Sequence, residues 1–224
     1  MAVTAPRVVA IERSPVIDFD EPQHLYVVNG VLRPSVTQIL ERVGLVDFSR
    51  IPRDTRNAAL SRGRRVHKTA QFLVEDDLDM DSVAIEERGY VESCAQFLAT
   101  SEFVILGSER RVASLRWGYA GTVDAFGLWR GFAIADWCTG DLWESAKDLQ
   151  TSGYMGALRE FPPAEWEGFT PASPIQRIGV HLNKYGRLPH TEPYTDPMDF
   201  AKFLAAVTVV HEQLRRGKKG KMAA

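Results

Sequence analysis

The chain has 224 residues, 45% hydrophobic and 25% charged, a balance that fits one globular domain long enough to bury a full core. Twenty-seven Lys and Arg stand against 29 Asp and Glu, so a nucleic-acid surface has to be a local basic patch rather than a property of the bulk charge. Two cysteines, Cys94 and Cys138, exclude a four-cysteine zinc or iron–sulfur centre within one chain, and no segment has the apolar length of a signal peptide core or a membrane span.

Residues 1–23, rich in Pro and polar breaks, read as an irregular lead-in. His24–Val28 and Val31–Arg33 form a hairpin across Asn29-Gly30, a pair suited to a two-residue turn. Ser35 and Gln38 have the spacing of a capping box and open a short helix that Gly44 ends. Thr55 to about Glu75 is helical in pattern and carries a basic turn, with Arg62, Arg64, Arg65 and Lys68 around His67. Asp81 to Thr100 forms a second long helix, whose apolar side makes Cys94 a buried, inert thiol. Strands follow at about Phe103–Ala113, Tyr119–Leu128 and Gly131–Trp137. A helix from Leu142 to Arg159 stops before Phe161-Pro162-Pro163. Ile175–Asn183 and Arg187–His190 read as a second hairpin around Tyr185-Gly186, and Phe200, Phe203, Leu204, Val207, Val210 and Leu214 stripe a last helix. The basic residues from Arg215 onward read as a flexible tail. This order predicts an α/β fold, a mixed central sheet flanked by helices.

The chemistry concentrates between Gly121 and Tyr154. Asp124 and Asp136 end two apolar runs that read as neighbouring strands. Convergent carboxylates repel one another unless a cation lies between them, and an all-oxygen site suits Mg²⁺ or Mn²⁺. Gln150 and Tyr154, at i and i+4, share a helical face. Gly63 is expected to let its helix approach the sheet or a DNA backbone closely.

Taken together, Arg62-Gly63-x-x-Val66-His67, Glu109, Gly121-Thr122-x-Asp124, Asp136-Trp137-x-Thr139-Gly140 and Gln150-x-x-x-Tyr154 resemble the PD-(D/E)XK nuclease superfamily, in its RecB-like and phage exonuclease branch. Pro34-Ser35-Val36-Thr37-x-Ile39-Leu40 is similar to the entry segment of phage-encoded members. The resemblance spans about residues 24–215 and implies a restriction-endonuclease-like domain over 24–214. It implies a Mg²⁺- or Mn²⁺-dependent deoxyribonuclease, more an exonuclease than a sequence-specific endonuclease. In such a site Asp124, Asp136, His67, Glu109 and the backbone carbonyl of Trp137 are the metal ligands, and Gln150 and Tyr154 hold the substrate strand or orient the metal shell. Arg62, Arg64, Arg65 and Lys68 are the candidates for holding DNA. The implied partners are DNA and a homo-oligomer or recombination protein, with no membrane, in the cytoplasm of a bacterial or phage-infected cell.

The family motif departs at Cys138, which stands where a lysine is expected. A thiol cannot become a cation, so the fixed positive charge beside the attacking water is lost. Lys147 is the candidate replacement because it shares the helical face of Gln150 and Tyr154. The alternative is a catalytically inactive nuclease-fold module that binds DNA or a protein partner.

Overall fold

A computed structural model describes residues 14–46, 51–140 and 146–222. Strands β1 (Ile17–Asp20), β2 (Leu25–Val28) and β3 (Val31–Arg33) form an antiparallel three-stranded sheet. Asn29 and Gly30 both take positive φ, 49° and 77°, and so make the tight turn that the Asn-Gly pair suggests. Helix α1 (Val36–Arg42) starts at Ser35 with the expected capping box, closed reciprocally with Gln38.

Helices α2 (Arg53–Val74) and α3 (Ile85–Thr100) precede a five-stranded sheet of β4 (Val104–Ser114), β5 (Tyr119–Leu128), β6 (Phe132–Cys138), β7 (Ile175–His181) and β8 (His190–Pro193), in that spatial order. Only β6 and β7 run parallel, so the sheet is mixed, and α4 (Lys147–Glu160) lies in the long connection between them. Helix α5 (Asp199–Met222) ends the fold. The α/β class expected from the sequence is the observed one. Among the described residues no helix is long and apolar enough to cross a membrane.

Each sheet face has its own core. Val66, Ala70, Tyr90, Cys94 and Phe97 of α2 and α3 pack on Ala125, Ala133, Ala135, Trp137, Ile178 and Val180. Cys94 is the inert thiol expected, its pKa pushed up to about 12 by burial. On the other face Val36, Ile39 and Leu40 of α1 join Leu149 and Leu158 of α4 and Phe203 and Val207 of α5 over Tyr119, Val123 and Ile134. Gly156 allows α4 and α5 to approach closely, because a Cβ there would collide with the Phe200 ring. The small sheet covers one end of β4 and β5, with Tyr26 and Val28 on Ala113 and Ala120.

Several expectations need correction. Part of the supposed lead-in is β1, whose Ile17 and Phe19 face inward between exposed Asp18 and Asp20; residues 1–13 lie outside the described set. The second long helix does not start at Asp81. A short 3₁₀ turn, Met80–Ser82, capped by Asp79, comes first. The helix expected from Leu142 begins at Lys147, and residues 141–145 lie outside the described set. The partner of β7 is His190–Pro193 rather than 187–190, because residues 182–186 dock on α3 instead of pairing. Helix α5 continues through residues 215–222, and Arg215 and Arg216 pair with Glu212 one turn earlier. The sheet half of the Gly63 expectation is not required by sterics, since a Cβ there would rest 3.6 Å from Thr139 Oγ1, an ordinary contact.

One buried ion pair ties the second face together. Arg177 of β7 donates to Asp199 Oδ2 at 2.8 Å, to the Asp148 carbonyl at 2.6 Å and to the Asp196 carbonyl at 3.3 Å. It thus joins the sheet to the start of α4 and the start of α5. Asp199→Ala leaves a buried guanidinium without its counter-charge and is expected to cost roughly 3–5 kcal/mol in stability, measured by denaturant unfolding.

Candidate functional site

The site forms where β5 and β6 separate. Their ladder ends with Ala125 opposite Ala135, and the Trp137 N–H donates to Asp124 Oδ2 at 2.8 Å. A side-chain carboxylate takes the place of a ladder carbonyl there. On the other side, Ser108 pairs with Ala125 and Arg110 with Val123, which sets Glu109 beside Asp124. Glu109 has φ of 45°, a left-handed conformation that costs a non-glycine residue about 1–2 kcal/mol. At this point the strand alternation slips. Val123 belongs to the core on the α4 face and Ala125 to the core on the α2 face.

His67 comes from α2, with Nδ1 3.3 Å from Asp124 Oδ1. The ligand-type atoms of His67, Glu109 and Asp124 all lie within 4.8 Å of one another, the one such group among the described residues. Asp136 stands outside that trio. Its side chain points to the α4 face, where Lys147 Nζ lies 2.5 Å from Oδ2 and the Gln150 amide donates to Oδ1 at 3.1 Å. The same Gln150 amide lies 2.9 Å from the Tyr154 hydroxyl. Cys138 Sγ sits 3.6 Å from Asp136 Oδ2.

Of the expected metal ligands, the structure therefore gathers His67, Glu109 and Asp124. It gives Asp136 to a lysine and a glutamine, and shows Trp137 contributing an N–H to Asp124 and its indole to the core. The four basic residues also divide. Arg65 pairs with the buried Glu87 and donates to Ser61, and Arg62 lies over the Tyr90 ring, so both fasten α2 to α3. Arg64 and Lys68 are exposed; Arg64 shares the helical face of His67 at i,i+3, and the Lys68 charge acts on Glu109.

Sequence reasoning missed Tyr26. Its hydroxyl lies 2.8 Å from Thr122 Oγ1, two residues before Asp124. Nothing in the spacing of an N-terminal hairpin marks a contact to a strand so far along the chain. The role of Gly121 is also clear only in three dimensions, since a Cβ there would meet Tyr154 Cε1 at 2.7 Å. The glycine makes room for the ring that positions Gln150.

Charge compensation organises the site. Burial alone would lower the His67 pKa, but the charge and hydrogen bond of Asp124 lift it to about 9. Burial and then the Asp124 charge push Glu109 up to about 7. Burial would raise Asp124, yet His67 holds it below its ordinary value. Lys147 only partly offsets the burial that raises Asp136, and Asp136 in turn keeps Lys147 above its ordinary value despite its burial. Cys138 is raised by burial and by Asp136, and so remains a neutral thiol.

Compared with known proteins, the chain matches no family model and no curated protein.

The His67–Asp124 pair generates a pH prediction. A histidine with a raised folded-state pKa stabilises the fold fully below its unfolded value near 6.5, and that contribution fades as pH climbs through about 9. In an NMR titration, Asp124→Asn should return the His67 pKa to 6.5 or below. Thermal melts should show the variant losing most, relative to the parent chain, near pH 6, with the gap narrowing as pH rises through 9.

Proposed function

We propose that this chain is a divalent-metal-dependent deoxyribonuclease with a restriction-endonuclease-like fold and PD-(D/E)XK, RecB-like kinship. The observation that carries the reading is the convergence of His67, Glu109 and Asp124 from three separate elements, beside a buried Asp136 that a lysine already partners. A mixed sheet with helices on both faces supports the fold assignment.

The donor set fits a divalent cation. Glu109 and Asp124 share one small volume and cannot both ionise there at low cost, a conflict that a cation relieves. Two carboxylates and an imidazole suit Mn²⁺ at least as well as Mg²⁺, because the ring nitrogen is the softer ligand. A bound divalent ion supplies polarisation of a phosphoryl oxygen and a lowered pKa for an attacking water.

The protein's own groups do the positioning. Lys147 brings to Asp136 the fixed positive charge that Cys138 cannot supply. Gln150 fixes the rotation of the Asp136 carboxylate and is itself held against Tyr154. Arg64 and Lys68, exposed beside His67, offer phosphate contacts that weaken with added salt.

A second reading, a non-catalytic DNA-binding module, is favoured by one feature. Both Asp136 oxygens are engaged by protein donors, with a neutral thiol at the motif's lysine position. The two readings separate on cleavage. With Mn²⁺, linear duplex or single-stranded DNA should be cut by the parent chain; chelation or Asp124→Asn should abolish cutting while leaving DNA binding in place. Absence of any Asp124-dependent cutting favours the binding module.

Lys147 generates the sharper prediction. Removing one preorganised charge costs on the order of 10²–10³ in rate, so Lys147→Ala should lose about that much kcat. Cys138→Lys in the Lys147→Ala background should recover much of the loss, because its side chain starts on the same side of Asp136. Cys138→Lys alone should gain little, since Lys147 already occupies that carboxylate.

A further inference from the structure

The segment between β7 and β8 has a form that neither the core nor the carboxylate site explains. Strands β6 and β7 are parallel, with Cys138 opposite His181, and the Leu182 N–H donates to the Cys138 carbonyl at 2.8 Å. The segment therefore leaves the sheet at the end where Asp136 and Cys138 lie. Tyr185, three residues on, is within about 11 Å of Leu182 even for a fully extended chain.

Its backbone is fastened at successive residues. The Asn183 N–H donates to Ser93 Oγ of α3 at 2.9 Å, and the Asn183 side chain accepts from the Tyr185 N–H at 2.9 Å. The Gly186 N–H closes a turn onto the Asn183 carbonyl at 3.1 Å, and Gly186, with φ of 71°, also accepts from the Gln96 amide. Helix α3 carries Gly89 directly beneath, where any Cβ would collide with the Lys184 carbonyl. Glu92 of α3 lies under Gly186. This is an Asx-type turn clamped to a helix.

What the clamp displays is an aromatic ring in water. Tyr185 is 70% exposed and Leu188 59%, with Lys184 and Arg187 exposed on either side. Lys184 Nζ lies 5.0 Å from the Tyr185 ring centroid. Among the described residues the ring belongs to none of the three core clusters, so the fixed backbone presents it without adding it to the core. A ring held in place with flanking cations suits a π-faced anion, a nucleobase attached to its phosphate. Paired bases keep their faces inside the stack, so the matching ligand is a single strand.

We propose that the Asn183–Leu188 turn is a base-stacking platform for single-stranded DNA, with Tyr185 as the stacking ring and Lys184 and Arg187 as phosphate contacts. Its place in a reaction rests on the nuclease reading: the platform holds the strand whose phosphodiester reaches the Asp124–Asp136 end of the sheet.

The test separates the two ideas by measuring binding without cleavage. Fluorescence anisotropy of a labelled oligothymidylate is recorded with the full chain in chelator. Tyr185→Ala should weaken binding roughly 5- to 150-fold, the range for losing one stacked base. Tyr185→Phe, which keeps the ring, should bind within about twofold of the parent chain, since stacking tolerates loss of the hydroxyl. Affinity for a blunt duplex should change with neither variant. Thermal melting should be unaltered in both, because the side chain is in solvent. No binding of the oligothymidylate by the parent chain, or equal binding by Tyr185→Ala, overturns the platform. Tyr185-dependent binding without Asp124-dependent cutting overturns the nuclease reading and leaves the platform standing. Asp124-dependent cutting with binding indifferent to Tyr185 does the reverse.

Discussion

Three carboxylates lie close together in and beside one gap in a sheet, and the rest of the site is arranged to compensate their charge. Asp124 lies against His67, whose pKa its charge raises, and accepts from the Trp137 N–H; Asp136 leans on Lys147 and Gln150; Glu109 is pushed up by burial and by Asp124, which the charges of His67 and Lys68 only partly offset. Removing such groups from water without compensation costs several kcal/mol each. The compensation dictates the placement of whole elements. Helix α2 approaches one face to deliver its histidine, and α4 crosses the other to deliver its lysine and glutamine. The gap between β5 and β6 leaves a backbone donor available between them.

The division of the site across the sheet follows from the same place. A strand normally sends alternate side chains to opposite faces. The left-handed turn of Glu109 and the change of phase around Asp124 break that rule once, so the trio collects on the α2 side while Asp136 serves the α4 side. Strain at one backbone position is a modest cost beside the charge arrangement it permits.

Much of this was legible in the sequence because its signals are local. The Asn29-Gly30 turn, the Ser35–Gln38 capping box and the i,i+4 spacing of Gln150 and Tyr154 each depend on residues within a turn or two of one another, whereas the runs expected to end at Asp124 and Asp136 continue past them, to Leu128 and Cys138. The resemblance calls for a lysine, helical phase with Gln150 and Tyr154 points to Lys147, and Lys147 lies on Asp136. What stayed hidden depends on partners distant along the chain. The Tyr26–Thr122 contact and the split of the basic cluster between α3 and the site are tertiary facts. The strand expected at 187–190 failed for the same reason. Its pattern suited pairing with β7, but Gly89 and Ser93 of α3 offered the preceding residues a better seat.

The layering also bears on how such a chain is made. The core over the α2 face draws on residues between Val66 and Leu182, whereas the opposite core brings α1 against α5, the first helix against the last. During vectorial synthesis the first of these cores has all its parts before α5 emerges from the ribosome, and the second does not. Until α5 docks, Val36, Ile39 and Leu40 lack the Phe203 and Val207 wall, and an apolar surface stands open on a nearly complete sheet. That interval is where a nascent chain of this fold is most exposed to chaperones and to self-association.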